Sequence, residues 1–256
     1  MKHNPIASVT ALFARCSLFH ILGLLLVSAG VQTVLFRCQL SRVLEVWAAM
    51  EYEVDLSRPE EIVDVCGMKP AFCITFLLLT LLLSMAGTSY SSRCGYTLSR
   101  LRISERGVFV CQALYNAAMY LLLLGTEVTV CVLVCRQYAG AVPAEYIGPQ
   151  TTLLAFYRST FLHALLPLSD IAPWIRNGFL LAALSMTAAE FPFLQRRGKV
   201  CGNLIGCVML AVVFFVREIG DGFNTFLVVF FSLILAAEVI YHIFIKDEEE
   251  TADDAQ

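Results

Sequence analysis

Residues 108–135 read VFVCQALYNAAMYLLLLGTEVTVCVLVC. The run holds one carboxylate, Glu127, and no basic residue. A helix that crosses a hydrocarbon core needs about 20 mostly apolar residues, and this stretch exceeds that length. Its polar residues are not scattered. At about 100° per residue, Gln112, Asn116, Tyr120 and Glu127 fall within an arc of about 80°. Lipid offers such a stripe no hydrogen-bond partners, so it must face the interior of a bundle or a water-filled path. The stretch therefore implies further helices around it.

Five more stretches meet the same criterion: residues 17–36, 71–89, 174–194, 200–216 and 225–245. The expected fold is all-α, a polytopic membrane helix bundle with six transmembrane helices. A seventh apolar stretch, 151–168, contains Arg158, His163 and Pro167. It reads as an additional interfacial or re-entrant helix. Composition agrees: 58% of the 256 residues are hydrophobic and 15% charged, and the mean hydropathy is +0.73. Soluble domains run at about 25% charged. A soluble enzyme, a disordered chain and a nucleic-acid binder are excluded, the last also by the net charge of −3.

The N-terminus has two readings. Val27, Ser28 and Ala29 resemble a signal-peptide cleavage site, but apolar sequence continues to Phe36, which favours an uncleaved span. Ile6, Val9, Leu12 and Phe13 recur at helical spacing, suggesting a short interfacial helix before it. Lysine and arginine set orientation. They concentrate in two loops, as Arg93, Arg100, Arg102 and Arg106 and as Arg196, Arg197 and Lys199. This places both termini in the cytoplasm and the protein in the plasma membrane.

The outer segment 37–70 is acidic, with Glu45, Glu51, Glu53, Asp55, Glu60, Glu61 and Asp64. Leu40, Val43, Leu44 and Trp47 fall at helical spacing, so one or two short helices are expected there. It is either a vestibule or partner surface, or a solvated connection. Of ten cysteines, Cys38 and Cys66 lie in this segment. They either pair in an oxidising compartment or stay free. No cysteine or histidine cluster has metal-ligand spacing, and no cofactor is called for. Residues 246–256 form an acidic cytoplasmic tail.

Ionisable groups inside spans are candidates for function by default. Glu127 lies about 12 Å from the outer end of its span at 1.5 Å per residue, and Glu238 near the middle of the last. With Gln112, Asn116 and Tyr120 they line a translocation path, or else they fix helix packing. Glu190 sits at an inner end within reach of Arg196 or Arg197. Gly202 and Gly206 suggest a close helix contact. No phosphate loop, zinc-protease or serine-hydrolase motif is present, so catalysis in this chain is not expected.

The loop after the second span reads SRCGYTLSRLRISER, residues 92–106. It resembles the corresponding loop of type-two ABC exporter permeases in Gly95, Thr97, Leu98, Leu101, Ser104 and Arg106. The resemblance implies six spans, both termini inside, and a partnership with a separate ABC ATP-binding subunit. Leu98, Arg100, Leu101, Arg102 and Arg106 would form the coupling helix that docks on that subunit. It further implies a homo- or heterodimer of membrane subunits exporting a substrate through the lipid bilayer. Without a partner, the same loop serves only to fix topology. The other readings are a non-transporting membrane sensor or accessory scaffold, and a proton-coupled carrier using Glu127 or Glu238.

Overall fold

Ser104 stops the chain before the decisive stretch and starts its helix. In the computed structural model, which describes residues 5–49, 56–86, 88, 104–167, 171–199, 202–216 and 222–245, the Ser104 side chain accepts from the Gly107 N–H at 3.2 Å. Glu105 follows in the first turn. That is an N-cap with a carboxylate at the positive end of the helix dipole. The helix then runs unbroken from Glu105 to Ala141, about 55 Å at 1.5 Å per residue.

The described elements are all helical. They are α1 (Pro5–Ala49), α2 (Pro59–Val65), α3 (Met68–Met85), α4 (Glu105–Ala141), α5 (Thr151–Arg158), α6 (Thr160–Leu165), α7 (Ile171–Arg196), α8 (Asn203–Val216) and α9 (Gly222–Ile240). A single 3₁₀ turn, Ala144–Tyr146, follows α4, and a π turn, Tyr241–Ile245, ends α9.

Contacts along the helices give their directions. Ser17 meets Tyr115 and Gln32 meets Glu127, so α1 and α4 run parallel. Thr80 meets Tyr120 while Thr75 meets Ser28, so α3 runs against both. Phe109 packs on Phe193 and Asn116 reaches Ser185, so α7 opposes α4. Asn203 meets Glu190, which starts α8 where α7 ends. His242 meets Glu190 and Arg106 meets Phe244, which brings the end of α9 to the same place. The ends of α3, α7 and α9 and the starts of α1, α4 and α8 thus share one face, here the terminal face. The α2–α3 turn and α5–α6 lie at the opposite face.

Among the described residues five helices are long and apolar enough to cross a membrane: α1, α3, α4, α7 and α9. The chain is a membrane protein on that ground. The expected fifth span, 200–216, is an apolar helix over the 14 residues Asn203–Val216. That is about 21 Å, short of a core about 30 Å thick. Its neighbours 200–201 and 217–221 lie outside the described residues, as does the acidic tail. The large apolar side chains divide accordingly. Phe19 and Leu26 are 79% and 73% exposed, on the surface that meets lipid, while Phe13, Ile21, Phe72, Leu79 and Phe161 are fully buried.

Three expectations change. While α2 is a separate short helix of the outer segment, the separate N-terminal helix and the helical pattern of Leu40, Val43, Leu44 and Trp47 are continuations of α1, which holds its helix from Pro5 to Ala49. Leu40 is buried there, and Trp47 sets its ring edge-on to Tyr146 at 5.5 Å. The stretch 151–168 is neither one helix nor a span. Ser159, extended at φ −73° and ψ 126°, ends α5 and caps α6, accepting from the Leu162 N–H. Glu127 lies 14 residues from the end of α4 rather than 8 from the end of a span at Cys135. It is about 21 Å from that terminus.

Two turns need glycine. Gly67, at φ 86°, lets the chain leave α2 and enter α3. Gly198, at φ 71°, closes α7. There Lys199 N–H donates to Leu194 C=O and Gly198 N–H to Gln195 C=O, both at 3.0 Å. This Schellman pair requires a left-handed residue.

Candidate functional site

The polar stripe of α4 faces inward along its length. Gln112, Asn116, Tyr120 and Glu127 are each at most 3% exposed. They span 15 residues, about 22 Å along the axis. Asn116 Nδ2 donates to the Ser185 C=O of α7 at 3.3 Å. Tyr120 Oη donates to Thr80 Oγ1 of α3 at 3.0 Å, and Thr80 donates in turn to the Phe76 C=O. Gln112 is different. Neither its Nε2 nor its Oε1 has a partner among the described residues. A buried amide left unpaired is costly, so this height of the bundle has the polarity to hold water.

Glu127 is met by α1 and α3. Gln32 Nε2 donates to Glu127 Oε2 at 2.9 Å and to Ser28 Oγ at 3.2 Å. Ser28 Oγ lies 2.7 Å from Thr75 Oγ1, and Thr75 Oγ1 donates to the Ala71 C=O at 2.9 Å. Four side chains on three helices thus form one chain of hydrogen bonds ending at a carboxyl. Glu127 Oε1 and Gln32 Oε1 remain without partners among the described residues. Pairwise interhelical bonds of this kind contribute about 0.6 kcal/mol each, up to about 1.7.

A second polar group gathers at the terminal face. Glu190, fully buried, accepts from Asn203 Nδ2 at 3.3 Å and lies 2.8 Å from His242 Nδ1. It joins α7, α8 and the π turn. Arg197 pairs with Glu105 across the α4–α7 contact at 2.5 Å and sits 4.4 Å from the centre of the Phe193 ring. Arg106 donates to the Phe244 C=O.

The opposite face has a third. Arg158 pairs with Glu60 at 3.4 Å, Lys69 with Asp64 at 2.9 Å, and Ser159 Oγ donates to Asp64 at 3.2 Å. Beside it, Arg37, Cys38, Leu40, Ser41, Leu44, Gln137, Gly140 and Ala141 line an open groove between α1 and α4.

Several expected sites are placed elsewhere. Of the two readings of Cys38 and Cys66, the structure has the free thiols. Cys38 is exposed on α1, whereas Cys66 is buried at the end of α2 and donates to the Val63 C=O. Burial pushes the Cys66 thiol above its ordinary range. Cys16, toward the terminal face, is disulfide-bonded. Glu238 does not join Glu127. It is exposed, because the buried side of α9 follows Val228, Ser232, Val239 and Ile243, one residue away. Gly202 and Gly206 meet open space rather than a neighbouring helix. Leu98, Arg100, Leu101 and Arg102 lie outside the described residues.

Sequence reasoning missed Gln32, Ser28, Thr75 and His242. Gln32 carried a usable signal, as an amide inside an otherwise apolar span. Among the described residues no three histidine, cysteine or acidic side chains gather as a metal site. No known family model matches this chain, and neither a curated protein sequence nor a solved structure does.

Proposed function

We propose that the chain is the membrane-spanning permease subunit of an ABC-type transporter, an exporter driven by a separate ATP-binding subunit. The terminal face is cytoplasmic in this reading, and the membrane is the plasma membrane. Two copies, or one copy and a relative, enclose the path. The observation that carries the reading is what the terminal face collects. The α3–α4 connection starts and ends there, beside Arg106, Arg196, Arg197 and Lys199. That connection holds Leu98 and Leu101, whose spacing of three would share a face if the segment were helical, among Arg93, Arg100 and Arg102. A soluble partner with an acidic-rimmed groove would receive such a segment. Rocking of the bundle would then open the polar stripe of α4 alternately to each side.

The test is purification of the tagged protein in mild detergent. A P-loop ATPase is expected in near-equal amount, and Leu101→Asp is expected to release it while the variant remains in the membrane. Failure to recover an ATPase, under conditions that keep a known ABC complex intact, would overturn the reading.

A further inference from the structure

We propose that the Gln32–Glu127 pair is a proton-binding site, with the proton carried on Glu127 and shared with the Gln32 carbonyl. The inference stands on the donor count in this cluster and is independent of the ABC reading. Each hydrogen in the chain can be followed. The Thr75 hydroxyl donates to the Ala71 C=O. The Ser28 hydroxyl is left to donate to Thr75 Oγ1, 2.7 Å away. The two Gln32 amide hydrogens go to Ser28 Oγ and Glu127 Oε2. Nothing remains for the two outstanding oxygens, Gln32 Oε1 and Glu127 Oε1, which are both buried and both unpartnered.

Two acceptors without a donor, one of them on a carboxyl, are one proton short. A hydrogen on Glu127 Oε1, if turned toward Gln32 Oε1, would join the existing 2.9 Å bond in an acid–amide ring held by two hydrogen bonds. The same proton removes a charge for which the described residues provide no cation. Glu127 meets only Gln32 through a hydrogen bond, and the titratable groups facing it are the thiols of Cys73 on α3 and Cys131 on α4. A metal ion fits the count poorly. Calcium takes about six to eight oxygens, and the cluster leaves two. A carboxyl within a span is a candidate proton carrier on general grounds.

The open groove at the opposite face is separated from the pair by buried side chains. Arg37 and Gln137 mark its lining, five and ten residues beyond Gln32 and Glu127 on their helices. Phe36, Cys131 and Val134, all fully buried, lie at the heights between.

The experiment is infrared spectroscopy of the full chain reconstituted in lipid at neutral pH. A protonated-carboxyl C=O band that shifts in D2O is expected, and it should be lost in Glu127→Gln. That variant should keep its helical content, because an amide offers Gln32 Oε1 the same N–H that the acid offers as O–H. Gln32→Leu should keep the band and move it to higher frequency, since the carbonyl is then no longer hydrogen-bonded within the ring. A wild-type spectrum without an acid band assignable to Glu127 would overturn the proposal. So would thermal stability that rises with sodium over choline in the wild type but not in Glu127→Gln, which would make the site a sodium site. If Glu127→Gln fails to assemble, Gln32→Leu decides alone, and an acid band that does not move sinks the proposal.

Discussion

Glu190 and Glu238 share a side chain and a membrane protein, yet one is sealed among three elements and the other looks outward. Substituting each should expose the difference. Glu190→Leu leaves His242 and Asn203 facing an apolar group, which should cost about 1–3 kcal/mol. Glu238→Gln, exposed and without a hydrogen-bond partner among the described residues, should stay within about 0.5 kcal/mol. Reversible unfolding in mixed micelles would measure both, and a larger loss at Glu238 would refute this placement. Tyr120→Phe removes the α4–α3 hydroxyl bond and should cost about 0.6–1.7 kcal/mol by the same assay. At this scale the sequence carried the α4 stripe well, since one helix face can be read from spacing alone. It did not carry the side of α9 that holds Glu238. Val239 is buried and Glu238 exposed, and only the neighbouring helices, through Phe109 of α4 and Ala189 and Phe193 of α7, decide between positions about 100° apart. Nor did it mark the Gln32 pairing, which joins residues 95 apart in the chain.

Helices were legible as elements, but their ends were not. Hydropathy finds where a helix fits lipid, and α1 and α4 both continue past that limit. Residues 37–49 keep the helical pattern of Leu40, Val43, Leu44 and Trp47, so nothing in the chain tells α1 to stop at the interface. The break between α5 and α6 was hidden for another reason. Ser159 is held by Asp64 of α2, a tertiary bond to a residue 95 positions earlier. Where a local rule does govern, a single substitution tests it. Gly198 sits at φ 71°, so Gly198→Ala should cost about 1–2 kcal/mol, read as a lower unfolding midpoint. An unchanged midpoint would mean that the α7 terminus rearranges freely.

For the molecule as a whole, the alternation of helix directions fixes which ends lie together, and orientation in the membrane then becomes a single binary choice. Cys38 reports on it from the face opposite the termini. With the terminal face in the cytoplasm, a membrane-impermeant maleimide added to intact cells should label this exposed free thiol. The inverted arrangement predicts a shielded Cys38. In detergent, where both faces are reached, Cys66 should trail Cys38 by on the order of tenfold, because burial leaves it less thiolate at a given pH. Raising the pH should narrow that gap.

The length of α1 has a mechanical consequence. Its 45 residues form a rod of about 67 Å, more than twice a core about 30 Å thick. A rod pivoting at its middle by about 10° swings its tip by about 6 Å. Tilt follows bilayer thickness, so the lipid itself becomes a lever on the Trp47–Tyr146 contact and on the groove beside it. A thicker or thinner membrane would reset the outer mouth of the bundle without touching its polar interior.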